Sequence, residues 1–244
     1  MQSQSPSTFS KTWNLRWILA GFVVAVLAAV GVGRWLGVRV AHESLAERAA
    51  AAGPTPTSAD VATADALSNY LDKIQGQVRD HEAAFARLHQ QNALTWNIHR
   101  REDIERDRQI IRIFLLTNDR LTDGLKYGAD FLRAEMNAAK TPAAERDAVL
   151  ARYAKMEEPL RPLQMRVRHC DQTLGETALA VLDLLDFNWG AWKRDEATGR
   201  IDFTNSVTLA AFKDYVGKLS AAADERQEAQ KELSEYQERH PALP

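Results

Sequence analysis

From Trp17 to Gly33 the chain reads WILAGFVVAVLAAVGVG without one charged residue, and Trp35-Leu36-Gly37-Val38 carries the apolar run past Arg34. A helix of this composition is apolar on every face, which suits hydrocarbon and not water. Trp17 and Trp35 stand 18 positions apart, roughly 27 Å along a helix at about 1.5 Å per residue, so the two indoles match opposite interfaces of a bilayer. Arg34 can then snorkel, its stem in the apolar layer and its guanidinium among the headgroups. The sequence therefore predicts a single transmembrane helix over residues 17–38, after an N-terminal tail over 1–16. A cleaved signal peptide is the competing reading, since Lys11 and Arg16 precede the run. The run is longer than the roughly 7–15 residues of an ordinary signal core, which favours the anchor.

Lys11 and Arg16 on one side compete with Arg34, Arg39 and Arg48 on the other, so the positive-inside count does not set the orientation. The default expectation is a bacterial inner-membrane protein with its C-terminal domain in the periplasm. Small residues recur every four positions along the span, at Gly21, Ala25, Ala29, Gly33 and Gly37. Such a stripe lets a second backbone approach closely, and it predicts a homodimer or a contact with another membrane protein. The bilayer itself is the first partner.

Residues 39–58 read as a juxtamembrane helix followed by the linker Gly53-Pro54-Thr55-Pro56-Thr57-Ser58, whose two prolines cannot continue a helix. Beyond it, over 59–240, apolar residues fall in alternating steps of four and three, the pattern of an elongated helical bundle. The first segment runs through Leu67, Leu71, Ile74, Val78, His81, Phe85 and Leu88. The second takes Ile110, Phe114, Thr117, Leu121, Leu125, Gly128, Phe131 and Met136; the third, Leu160, Leu163, Val167, Cys170, Leu174, Thr177, Val181 and Leu184. The fourth takes Leu209, Phe212, Val216, Leu219, Ala223 and Leu233.

The fold expected is thus all-α: one membrane span and an antiparallel four-helix bundle. No Pro or Gly separates the first two segments, so they are compatible with a single kinked rod. Thr141-Pro142 predicts a helix start, with Thr141 as cap and Pro142 at the first helical position. Pro159 and Pro162 predict a short helix to about 157 and a kinked continuation to about 187. Asn205 or Ser206 caps the last helix.

Charge and motifs exclude more than they suggest. Lys and Arg number 31 against 33 Asp and Glu, which leaves no positive excess for phosphates and argues against nucleic acid. Cys170 is the only cysteine, so no intramolecular disulfide or multi-cysteine metal site exists. The residues three before His42, His81, His89, His99, His169 and His240 are Arg39, Val78, Ala86, Trp96, Arg166 and Gln237, none of them a carboxylate. That disfavours a bundle-type di-iron centre. No phosphate loop, zinc-protease motif or nucleophile elbow occurs, so neither a catalytic residue, a metal ligand nor a cofactor is expected.

Four features remain. His81 on the apolar seam reads as a hydrogen-bonded core histidine that sets register, ahead of a pH switch. Cys170, also on a seam, reads as an inert small hydrophobe. The charge run Arg100–Arg108 reads as a solvated, self-paired face. The stretch 187–205 breaks the helical pattern: Trp189 and Trp192 flank Gly190, Lys193 and Arg194 follow, and Ile201 and Phe203 alternate with polar residues as in a short hairpin. It is either an aromatic plug at one end of the bundle or a partner-contact loop made of Trp189, Trp192, Lys193, Arg194 and Phe203.

The function expected is a non-enzymatic structural or interaction protein of the bacterial cell envelope. A ligand-sensing bundle ranks second, since such bundles usually work with a second span and an output domain, and the chain ends at Pro244 after its last helix. A small-molecule ligand is left unspecified. A pocket between helices lined by convergent polar groups would favour sensing, and an exposed apolar strip would favour assembly.

Overall fold

Each helix of this domain can bury its apolar seam only against another helix, and the ladder of contacts between them gives their directions. The computed structural model describes residues 58–195 and 198–240. Within them lie five helices: α1 (Ser58–Gln90), α2 (Arg101–Ala138), α3 (Ala143–Glu157), α4 (Arg161–Phe187) and α5 (Ser206–Arg239). A two-stranded hairpin, β1 (Trp192–Arg194) and β2 (Ile201–Phe203), joins α4 to α5. Helix accounts for 81% of the described chain, which makes the domain all-α. At 38 residues, α2 is roughly 57 Å long. No helix among the described residues is long and apolar enough to cross a membrane. The span expected over 17–38, with Gly21, Ala25, Ala29, Gly33 and Gly37 and the anchors Trp17, Arg34 and Trp35, lies outside them.

α1 and α2 run antiparallel: His81 meets Thr117, Ile74 lies against Gly124, and Tyr70 lies against Gly128. α2 and α4 also oppose one another, with Leu115 against Gly175 and Asn118 bonded to the Arg168 carbonyl. α4 and α5 are linked by Asp171 to Arg226 and Leu160 to Leu233. The Arg226 guanidinium lies 4.8 Å from the Phe85 ring centroid and closes the circuit from α5 back to α1.

Two helix ends stop without glycine or proline, and both do so in the same way. After α1, Asn92 takes φ 54°, the Ala93 N–H donates to the Leu88 carbonyl (3.0 Å) and the Asn92 N–H to that of His89 (3.1 Å). After α2, Lys140 takes φ 58°, with Thr141 N–H to Met136 O (2.9 Å) and Lys140 N–H to Asn137 O (3.1 Å). These are Schellman closures. The first separates α1 from α2, so the single kinked rod is not formed. α2 then starts under the Asp103 carboxylate, which accepts the His99 and Arg100 N–H groups at 3.0 and 2.9 Å.

Several registers depart from the sequence reading. Phe131 is 43% exposed and Leu132 is 0% exposed in its place. From Gly124 the buried face advances through Gly128, Leu132 and Met136, all steps of four, which turn it around the helix to meet Val149 and Tyr153 of α3. Val216 is exposed. Thr141 does not cap α3: Pro142 occupies the cap position and makes no side-chain cap bond. Asn205 does cap α5, accepting the Val207 N–H at 2.8 Å. The charge run is not purely solvated either. Asp103 and Asp107 are buried, Arg101 reaches Asp186 at 2.6 Å, and Arg108 reaches Asp183 and Asp186 at 2.7 and 3.2 Å, so this segment docks α2 on α4.

The core has two large apolar parts. One gathers Phe85, Leu88, Ile111, Phe114, Leu174, Val181, Leu185 and Ile201 near the hairpin; the other gathers Leu67, Tyr70, Leu132, Met136, Val149 and Tyr153 where α3 packs. Between them lie a polar layer and a cavity.

Candidate functional site

One turn past Val78, the α1 seam places His81 in the core, where its ring stacks on Phe114 at a centroid distance of 5.1 Å. His81 Nε2 lies 3.3 Å from Asp171 Oδ2 and its Nδ1 3.1 Å from Thr117 Oγ1. A carboxylate only accepts, so Nε2 carries the hydrogen and Nδ1 accepts from the Thr117 hydroxyl. That hydroxyl is also 2.8 Å from the Phe114 carbonyl, so one proton serves two acceptors. Burial is the largest influence on His81 and lowers its pKa, against the raising effect of its Asp171 bond; the ring is neutral at pH 7.

Asp171 is 0% exposed and gathers two cations. Arg226 Nε donates to Oδ1 at 2.6 Å, and Arg168 Nη2 lies 3.1 Å from Oδ2. Burial alone would raise the Asp171 carboxyl; Arg226, Arg168 and the His81 bond outweigh it and hold the group well below the usual carboxylate range. Two guanidiniums thus share this one carboxylate. Arg168 is buried, and its Nη1 has no hydrogen-bond partner.

Next to this layer, towards the α3 end, lies a cavity of about 120 Å³. Its walls are chiefly aliphatic, from Leu71, Ile74 and Val78 of α1, Leu121 and Leu125 of α2, Val167 of α4 and Leu233 of α5. Polar groups also converge on it: Gln77 and Glu82 from α1, Glu157 from α3, Gln164 and Arg168 from α4, and Gln230 from α5 line the space. Each of them has a buried side-chain atom without a hydrogen-bond partner: Gln77 Oε1, Glu82 Oε1, Glu157 Oε2, Gln164 Oε1, Arg168 Nη1 and Gln230 Nε2.

The far end of the cavity is built by Tyr70 and Tyr153, whose hydroxyls lie 2.8 Å apart. Burial pushes Tyr70 up to about 12 and Tyr153 well above the usual phenol range. Glu157 beside them is 2% exposed. Burial drives its carboxyl up to about 7, opposed by Arg161, whose Nε lies 3.9 Å away.

The hairpin stretch divides. Trp192 is half-buried and its Nε1–H donates to the Leu185 carbonyl at 2.8 Å; Phe203 packs on Phe212 at 5.4 Å. These two lie against the hairpin-end core. Trp189 is 41% exposed, edge-on to Trp192 at 5.6 Å, and Phe187 is 90% exposed. Lys193 is exposed and Arg194 half-buried. Cys170 is a buried free thiol whose pKa burial raises. Among the described residues no group of three or more His, Cys, Asp or Glu side chains is placed to hold a metal ion.

Of the cluster, the spacing of the sequence marks His81 alone. Arg168, Asp171 and Arg226 are charged residues on amphipathic helices, and nothing in their spacing separates them from solvent-facing neighbours; only a charge lying on the seam side of the turn marks them. No protein-family model matches the chain, and neither a curated protein nor a solved structure does.

Proposed function

We propose that the protein is a membrane-tethered binding module: a non-enzymatic helical domain, held at a bacterial inner membrane by the span over 17–38, that takes a small ligand between its helices. The cavity carries this reading. A buried polar atom left without a partner costs roughly 1–3 kcal/mol, and several such atoms converge on one apolar space. A ligand bringing complementary groups offsets that cost and ties α1, α2, α4 and α5 together. That is the arrangement expected of a bundle that senses a ligand. Periplasmic orientation belongs to the same proposal.

Fluorobenzene tests it, followed by fluorine NMR against the full chain in lipid nanodiscs. Saturable broadening with the wild type and none beyond lipid background with Val167→Phe, which fills the cavity, is the expected result. Identical signals from the two proteins would defeat the reading.

Assembly is a second reading, favoured by Ile113, Leu116, Tyr127 and Phe131, which are exposed along one stripe of α2. Arg120 and Asp123 interrupt that stripe, which leaves it short of a continuous apolar patch. With the small-residue stripe of the span it would serve a homodimer. Loss of dimer on Leu116→Glu, read by light scattering, is its test.

A further inference from the structure

We infer that the ligand is a primary alkylammonium, whose N–H groups meet the Glu157 carboxylate at the α3 end of the cavity while a short hydrocarbon chain lies along the aliphatic walls. The inference rests on the binding reading above and adds the chemistry of the head group and the end of the cavity that takes it.

The balance of donors and acceptors comes first. Among the buried side-chain atoms without partners on the cavity wall, Gln77 Oε1, Glu82 Oε1, Glu157 Oε2 and Gln164 Oε1 accept when the carboxyls are ionised. Only Arg168 Nη1 and Gln230 Nε2 donate. Acceptors therefore outnumber donors by four to two. An alkylammonium brings three N–H donors and no acceptor, so it answers that surplus without adding to it. A carboxylate ligand would bring acceptors alone.

The place comes second. Glu82 is half-buried, whereas Glu157 is 2% exposed. Arg161 Nε comes only to 3.9 Å from Glu157 Oε2, beyond hydrogen-bond reach, and neither atom has a hydrogen-bond partner. A buried carboxylate without a charge-assisted bond is costly, and an ammonium group supplies one. Around Glu157 stand Tyr70 of α1 and Tyr153 of α3, which bond to each other, and Arg161 of α4, the one charged group that acts on its carboxyl. α2 brings Gly128 against the two phenols, and α5 brings Leu233 to the same wall. The guanidiniums of Arg168 and Arg226 are held at Asp171 beside His81. Tyr70 lies eleven positions before His81, roughly 16 Å along α1, so a cation at Glu157 stands apart from them.

Size comes third. At about 120 Å³ the space is of the order of the roughly 150 Å³ apolar cavities that hold a benzene ring. The aliphatic walls of Leu71, Ile74, Leu121 and Leu125 therefore suit an alkyl chain of a few carbons behind the charged head.

The test is calorimetric titration of the full chain in nanodiscs at pH 8 with butylamine, butanol, butyrate and methylamine, each corrected for protein-free discs. Butylamine is expected to bind about tenfold tighter than the other three, or more. The ammonium recognises the ionised carboxylate, and burial drives Glu157 up to about 7. Butylamine stays charged throughout, so its binding is expected to weaken roughly tenfold from pH 8 to pH 6 as the carboxyl takes up its proton. Glu157→Gln keeps the size of the side chain and removes its charge; it is expected to erase both the preference for butylamine over butanol and the pH dependence. The wild-type pH profile serves by itself if that variant does not fold. Equal binding of butylamine and butanol, tighter binding of butyrate, a flat pH profile, or a folded Glu157→Gln variant that keeps the preference overturns the ammonium inference and leaves the binding module standing. Methylamine as tight as butylamine overturns the apolar part. Binding of none of the four overturns the inference, and the fluorobenzene experiment then decides whether the binding module survives.

Discussion

The hydroxyls of Tyr70 and Tyr153, from α1 and α3, meet at 2.8 Å directly over Gly128 of α2. A Cβ built on Gly128 would lie 2.2 Å from the Tyr153 oxygen and 2.9 Å from that of Tyr70, so the small residue admits a phenol pair and not a backbone. Gly128→Ala forces the pair apart and is expected to destabilise by about 1–3 kcal/mol. Tyr153→Phe in the same chain, by removing the nearest atom, should recover part of that loss. Urea midpoints of the two single variants and the double variant measure the coupling.

Arg168 and Arg226 are not equivalent to the carboxylate they share. Asp171→Asn removes the buried carboxylate that both guanidiniums share and is expected to cost about 3–5 kcal/mol. Arg168→Met leaves Arg226 and Asp171 as a balanced pair, so its cost should stay within about 1 kcal/mol. Chemical denaturation at pH 7 without ligand separates the two outcomes.

Glu157 gives stability a pH dependence of fixed sign. Its folded pKa, about 7, lies above its unfolded value of 4.5, so the native state holds the proton more tightly. Below pH 4.5 both states are protonated and nothing is lost. Stability then falls as pH rises to about 7 and levels off beyond, by at most about 3 kcal/mol at 1.36 kcal/mol per pKa unit. Glu157→Gln should therefore raise the melting temperature at pH 8 and leave it nearly unchanged at pH 4.5. His81, whose pKa is lowered, contributes with the opposite sign below its unfolded value, so variant and wild type are compared at each pH.

Lys140 occupies left-handed backbone at φ 58°, a conformation that costs a side-chain-bearing residue roughly 1–2 kcal/mol. Lys140→Gly keeps the closure of α2 and removes the strain. Allowing for the added freedom of the unfolded chain, the substitution is expected to raise stability by up to about 1 kcal/mol in a thermal melt.

Trp192 and Trp189 should respond differently to truncation. Trp192→Ala removes a half-buried ring and its bond to the Leu185 carbonyl, a loss of about 2 kcal/mol. Trp189→Ala removes a ring 41% exposed and should cost under about 1 kcal/mol. Melting temperatures decide it, and a pull-down with Trp189→Ala reports any partner held by the exposed ring.

Much of the helical plan was legible because it is local. The four-three spacing from Leu67 to Leu88 and from Leu160 to Leu184 follows from one helix turning one face inward, and Pro159 and Pro162 act on their own backbone. The breaks at Asn92 and Lys140 were less legible, since Lys carries almost no preference for left-handed backbone. A three-step and a four-step differ by one residue, so spacing alone points Phe131 inward, and only packing against α1 and α3 puts Leu132 there instead.

By itself the sequence determined a set of amphipathic helices, a consequence of side chains acting within one segment. Tertiary structure alone decided that Arg168, Asp171, Arg226 and His81 share a layer and that a cavity opens beside them. Those residues come from three helices, and the energy that joins charges across helices leaves no periodicity in any one of them.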